Sequence, residues 1–142
     1  MPTNSSLKPA LTAEPGLRLL LVEDTPADAE LTLRALRHAG LEVSADLVCT
    51  EEEFVRLLHD HDYDIILADH NLPTWNGLEA LKSLRELGKE TPFILVTGSL
   101  GEERAVECLK AGASDYVLKD RIVRLPFAVK RALAEHHAHS ER

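Results

Sequence analysis

The stretch YDIILADHNLP, residues 63–73, decides how the rest of the chain reads. Its apolar run Ile65–Ala68 stops on Asp69, and His-Asn-Leu-Pro follows as a turn. A short continuous apolar run bounded by turn residues suits a strand buried on both faces. A carboxylate at the end of such a strand is costly unless it is paired or bound to a metal. Asp69 therefore needs partners from elsewhere in the chain.

Four further runs have strand character: Leu17–Val22, Val43–Val48, Phe93–Val96 and Asp115–Leu118. Amphipathic helices lie between them. Thr25 can cap the first, with Pro26 at its first position and Gly40 past its end. Ala29, Leu33 and Leu36 share one face of it, and Glu30, Arg34 and Arg37 the other. Thr50 to Glu53 has capping-box spacing ahead of Phe54, Leu57 and Leu58. The third helix follows Gly77, turns Ala80, Leu81 and Leu84 inward and stops at Gly88. Ser99 to Glu102 offers another capping box, with Gly112 closing that helix, and the last helix starts near Pro126. Five strand–helix units imply right-handed crossovers and an α/β fold, a doubly wound five-stranded parallel sheet with five helices. Ligands of such sheets bind outside the carboxyl ends of the strands.

Bulk properties agree with one domain. A chain of 142 residues can bury roughly 70% of the surface it exposes unfolded. The net charge of −8 argues against a nucleic-acid module or docking on anionic lipid, both of which need basic surface. No apolar run reaches the roughly 20 residues of a membrane span, and the N-terminus lacks a signal-peptide core. Cys49 and Cys108 stand apart without metal-type spacing, which suits a reducing cytoplasm, and both read as small buried hydrophobes. Residues 1–16 read as a flexible tail, 17–138 as the domain and 139–142 as a short C-terminal tail.

The strand ends carry the chemistry. The first ends on Glu23-Asp24, the third on Asp69, the fourth on Thr97 and the fifth on Lys119. Three carboxylates on one rim repel one another unless a cation compensates. A hard divalent cation with oxygen ligands, Mg²⁺ together with a phosphate, resolves this. Lys119 supplies a point charge for a phosphoryl oxygen, and Thr97 a hydrogen-bond donor. Taken singly, Glu23-Asp24 reads as an acidic helix start and Asp69 as a turn residue. Their joint placement at strand ends is what favours a site.

The segments LLLVED, IILADHNLP, LVTGS and YVLKD resemble the receiver domain of two-component response regulators, over about residues 17–138. The resemblance implies a flavodoxin-like sheet of order 2-1-3-4-5. It implies Asp69 as phosphoacceptor and Mg²⁺ held by Asp24, Asp69 and the Asn71 carbonyl, with Glu23 acting through water. It implies Thr97 and Lys119 on the phosphoryl oxygens and Tyr116 as output switch; Gly98 lies where the family varies, and its small size is expected to leave phosphate access open. The implied partner is a sensor histidine kinase or histidine phosphotransfer protein. A homodimer through the helix 4–strand 5–helix 5 face is a further expectation, with Arg121, Lys130 and Arg131 on that face. Family members commonly place proline after the lysine, often through a cis peptide. Here Asp120 stands there, and a non-proline cis bond costs about 2.5–4 kcal/mol.

Other readings stay beside this one. An aspartyl-phosphate phosphatase usually has a second Asp two residues after the nucleophile; Asn71 occupies that place, so the chain is expected not to be an enzyme. A flavin carrier needs a hydroxyl- and Gly-rich loop where EDTPAD stands. A phosphate sink without conformational output remains open, and no output domain is expected in this chain. His136, His137 and His139 read as a solvated helix end rather than a metal site.

Overall fold

The structure, a computed structural model, describes residues 16–98 and 102–140, apart from the side chains of residues 102, 139 and 140. The expected tail over 1–16 lies outside the described residues save for Gly16, and so does Ser99 with its capping box. Strands β1 (Leu17–Val22), β2 (Val43–Val48), β3 (Ile65–Ala68), β4 (Phe93–Thr97) and β5 (Asp115–Leu118) alternate with helices α1 (Pro26–His38), α2 (Glu51–Asp60), α3 (Gly77–Glu86) and α4 (Glu102–Lys110). A 3₁₀ turn over Lys119–Arg124 leads into α5 (Leu125–Ser140). The parallel sheet has the order β2-β1-β3-β4-β5. Among the described residues, no helix is long and apolar enough to cross a membrane.

Side chains alternate across the sheet and build two cores. Leu20, Val22, Ile66, Ala68 and Leu95 pack with Phe54, Leu58, Leu81 and Leu84, under α2 to α4. Leu19, Leu21, Ile65, Leu67, Ile94 and Val117 pack with Leu36, Val129 and Ala132, under α1 and α5. Central β3 and β4 are buried throughout, which is why they read as unbroken apolar runs. Edge strand β2 is mostly half-covered, with Leu47 exposed.

Most boundaries follow the sequence reading, with local corrections. Strand β4 runs one residue further, to Thr97. Thr25 stands at the N-cap of α1, but its hydroxyl makes no capping bond; its N–H instead donates to Glu23 Oε2 at 3.3 Å. Thr50 caps α2 through the Glu53 N–H. A reciprocal capping box, absent from the sequence reading, joins Asn76 and Glu79 at the start of α3. Gly40, Gly88 and Gly112 carry the positive φ that L residues rarely adopt, just past α1, α3 and α4. Cys108 is buried, whereas Cys49 is exposed because it follows the edge strand into solvent. Lys130 lines a groove between α1 and α5 with Arg34, Val123 and Phe127, so it belongs to that side of α5. The peptide between Lys119 and Asp120 is trans.

Register aims the strand ends. Val22 pairs with Ala68, so Glu23 and Asp69 emerge side by side, and the Asp69 N–H donates to the Val22 carbonyl at 2.9 Å. The start of α3 presses on this end of β3. A Cβ on Gly77 would lie 2.3 Å from Leu95 Cδ2 and 3.3 Å from the Asp69 carbonyl oxygen. Leu95 is fully buried, so displacing it disturbs the core around it. Gly77→Ala is therefore expected to cost about 1–3 kcal/mol by overpacking and to shift the amide resonances of Asp69 and His70. Urea unfolding and a ¹H–¹⁵N spectrum check this; an unchanged midpoint would contradict it.

Candidate functional site

Each site residue arrives at the rim by strand register. Glu23 and Asp24 follow β1, Asp69 follows β3, Thr97 ends β4, and Lys119 opens the 3₁₀ turn after β5. Ligand oxygens of Glu23, Asp24 and Asp69 all lie within 4.8 Å of one another. Glu23, Asp69 and Thr97 are buried, while Asp24 is exposed at the mouth.

The ammonium of Lys119 lies among the acids. Its Nζ is 3.0 Å from Glu23 Oε1, 2.9 Å from Asp69 Oδ2 and 2.7 Å from Asp28 Oδ2. Burial alone would lower the Lys119 pKa, but hydrogen bonds to Asp28, Asp69 and Glu23 outweigh it and hold the ammonium above its ordinary value. Asp69 Oδ1 accepts the Asn71 N–H at 3.1 Å, so both Asp69 oxygens are engaged.

Burial, and then the neighbouring Asp69 charge, push the Glu23 carboxyl up to about 7 despite its contact with Lys119. One ammonium does not fully compensate this cluster. An all-oxygen donor set that remains short of positive charge fits a hard divalent cation such as Mg²⁺. Among the described residues it is also the one group of three metal-ligating side chains; His136 and His137 form no such group.

Other residues fall as follows. Among the described residues nothing lies within 4 Å of where a Gly98 Cβ would stand, while Thr97 beside it is fully buried. Asn71 is exposed. Tyr116 is half-buried against the core under α2 to α4, and its carbonyl accepts from Arg124. Lys119 lies beyond the last strand residue, so strand alternation does not set its direction relative to Tyr116. Asp120 is exposed and makes no ion pair with Lys119.

Three contributors escaped the sequence reading. Asp28 takes the shortest of the Lys119 contacts from the first turn of α1. Its place in the first turn of the helix that follows the Glu23-Asp24 strand end was the available signal. His70 is buried with its Nε2 3.2 Å from Arg104 Nη1 on α4 and its Nδ1 without a partner. Burial, then the Arg104 charge, lowers its pKa, so the ring is neutral and accepts from the guanidinium. Trp75 donates from Nε1 to the Cys49 carbonyl at 3.0 Å and ties the loop after β3 to the end of β2.

The Glu23 shift has a consequence for pH. Its folded pKa of about 7 exceeds the ordinary 4.5, so the folded metal-free chain binds this proton more tightly than the unfolded one. This group's contribution to stability therefore declines as pH rises from 4.5 to 7. Glu23→Gln is expected to flatten that slope in chelator, and adding Mg²⁺ to counter it in the unsubstituted protein. Thermal melting across the range measures both; parallel slopes with and without Glu23 would refute the assignment.

Known proteins agree with the architecture. The family description "response regulator receiver domain" matches residues 19–129. The cell cycle transcriptional regulator CtrA of Caulobacter vibrioides is 36% identical over 123 residues, covering 86% of this chain and 49% of that protein. The cell cycle response regulator CtrA of Brucella abortus is 37% identical over the same shares. The chain thus spans about half the length of the curated relatives it matches. The receiver domain of sensor histidine kinase PA1611 from Pseudomonas aeruginosa, solved with a magnesium ion in its active-site cleft, superposes with a TM-score of 0.70. That match has 31% identity and covers 84% of this chain and 98% of that one. A CheY-like receiver protein from Methanospirillum hungatei gives a TM-score of 0.74 at 29% identity, over 87% and 98% of the two chains. With the β2-β1-β3-β4-β5 sheet and the acid–lysine rim on its carboxyl ends, the chain belongs to the receiver domains of two-component response regulators.

Proposed function

We infer that the chain accepts a phosphoryl group on Asp69 from a phosphohistidine donor, a sensor histidine kinase or a histidine phosphotransfer protein. The observation that carries this reading is the Asp69 carboxylate, buried between Lys119 and two further acids at the strand ends. An Asp69 oxygen forms the bond to phosphorus while the bond from phosphorus to the donor's imidazole nitrogen breaks. The electron pair leaves with that nitrogen. Lys119, already 2.9 Å from Asp69, is placed to follow the charge onto a phosphoryl oxygen. Thr97, buried at the end of β4, offers a hydroxyl to another. Glu23, Asp24, Asp69 and the Asn71 carbonyl are the residues that would hold Mg²⁺. Once bound, Mg²⁺ would neutralise charge shared by the carboxylates and the phosphoryl oxygens.

The chain works as an acceptor rather than a turnover enzyme, because Asn71 supplies no acid where a phosphatase would carry Asp. Its place is the cytoplasm, beside its donor. Output runs through Tyr116: drawing Thr97 toward the phosphoryl group repacks the aromatic and alters the α4–β5–α5 face, which can then pair with a second copy. Phosphate need favour that state by only a few kcal/mol.

Acetyl phosphate with Mg²⁺ is expected to add one phosphate by intact mass, and none to Asp69→Asn. Phosphorylation that persists in Asp69→Asn would sink the assignment. Asp24→Ala should stay folded yet lose metal-dependent phosphorylation, and an unchanged Mg²⁺ titration would contradict its role. For output, light scattering and amide exchange with beryllofluoride are expected to show altered protection over residues 102–131 or a doubled mass. If neither changes, the chain acts as a phosphate sink or relay.

A further inference from the structure

Asp28 stands apart from the other acids at the rim. It comes from the first turn of α1, outside the cluster of Glu23, Asp24 and Asp69, yet it makes the shortest contact to Lys119, 2.7 Å. An ammonium has three N–H donors, and in this structure Glu23, Asp28 and Asp69 accept them. Glu23 and Asp69 are also candidate cation ligands; Asp28 is not. A divalent cation that drew on their oxygens would compete for two of the three Lys119 acceptors and add a repelling positive charge. Among the described residues Asp28 is then the Lys119 acceptor that the cation does not draw on.

We propose that Asp28 is a positioning residue that keeps the Lys119 ammonium at the site once cation and phosphoryl group occupy Glu23 and Asp69. This deepens the phosphoacceptor reading and rests on it. One Lys119 proton stays on Asp28 and leaves the other two for phosphoryl oxygen. Asp28 thereby couples the start of α1 to the end of β5 through a single side chain. The simpler role of a first-turn acid, favouring the helix N-terminus, predicts a change in stability alone.

The test uses the full chain, Asp28→Ala and Asp28→Asn, and two readouts. The first is the Lys119 NH₃⁺ signal in a ¹H–¹⁵N spectrum with Mg²⁺ alone; the second is affinity for beryllofluoride with Mg²⁺. The Lys119 signal is expected to persist with Mg²⁺ in the unsubstituted chain and to vanish in Asp28→Ala. Beryllofluoride affinity should fall about tenfold, the scale of one charge-assisted hydrogen bond. Asp28→Asn keeps an acceptor oxygen without the charge and should fall by less; it carries the test if Asp28→Ala does not fold. A retained Lys119 signal and unchanged beryllofluoride affinity in the variants, even with lower melting temperatures, would overturn the proposal. If the unsubstituted chain takes no beryllofluoride but the Mg²⁺ arm behaves as expected, the phosphoacceptor reading falls, and Asp28 is left holding Lys119 beside the cation alone.

Discussion

With its Nζ 2.7–3.0 Å from oxygens of Glu23, Asp28 and Asp69, Lys119 faces carboxylates that reach it from β1, α1 and β3. Removing charges from water costs several kcal/mol per ion, and close hydrogen-bonded contact is what offsets it. The cluster satisfies that condition only partly. Four carboxylates, counting Asp24, stand near one ammonium, and burial, with the Asp69 charge behind it, still raises the Glu23 pKa against the Lys119 contact. Such an arrangement contributes little to stability for the charge it buries. What it does hold is a set of anionic oxygens in fixed positions, short of cationic charge, which a divalent ion would complement.

The rest of the fold keeps those oxygens in place. Parallel pairing of β1 with β3 puts Val22 beside Ala68, and a slip of one residue would turn every side chain to the opposite face. Two apolar layers oppose such a slip, because Leu20 and Ile66 belong to one and Leu21 and Leu67 to the other. At the far end of the sheet, the half-buried Arg85 donates to the carbonyls of Lys89, Thr91 and Gly112. It ties the entry to β4 to the turn after α4, and so fixes where β4 starts. Thr97 ends the strand whose start Arg85 sets.

Strand positions were legible because central strands of a parallel sheet are apolar on both faces and stop at charged or turn residues. Glu23, Asp69 and Lys119 announced themselves for the same reason, as charges where a buried strand ends. Less legible was anything that depends on approach from a helix. Asp28 looks like an ordinary first-turn acid until the end of β5 is set against α1, 91 residues further along the chain. His70 gives no local sign that it will be buried against Arg104. The Lys119–Arg124 turn was missed because it has neither the length nor the periodicity of a helix. Cys49 misled because composition says thiols are buried, whereas position beside an edge strand decides otherwise.

Trp75 is the sole tryptophan of the chain. It is 5% exposed, meets the Phe54 ring edge-on with centroids 5.4 Å apart, and donates to the Cys49 carbonyl. It sits on the loop that leaves Asp69 and is fastened to the end of the neighbouring half of the sheet. The molecule thus carries its own optical probe. Indole emission depends on the polarity and hydrogen bonding around the ring, so a displacement of that loop changes intensity or wavelength without any attached dye. An event at the rim that displaces this loop can be followed on one unlabelled side chain, in a stopped-flow cell and at concentrations far below those of magnetic resonance.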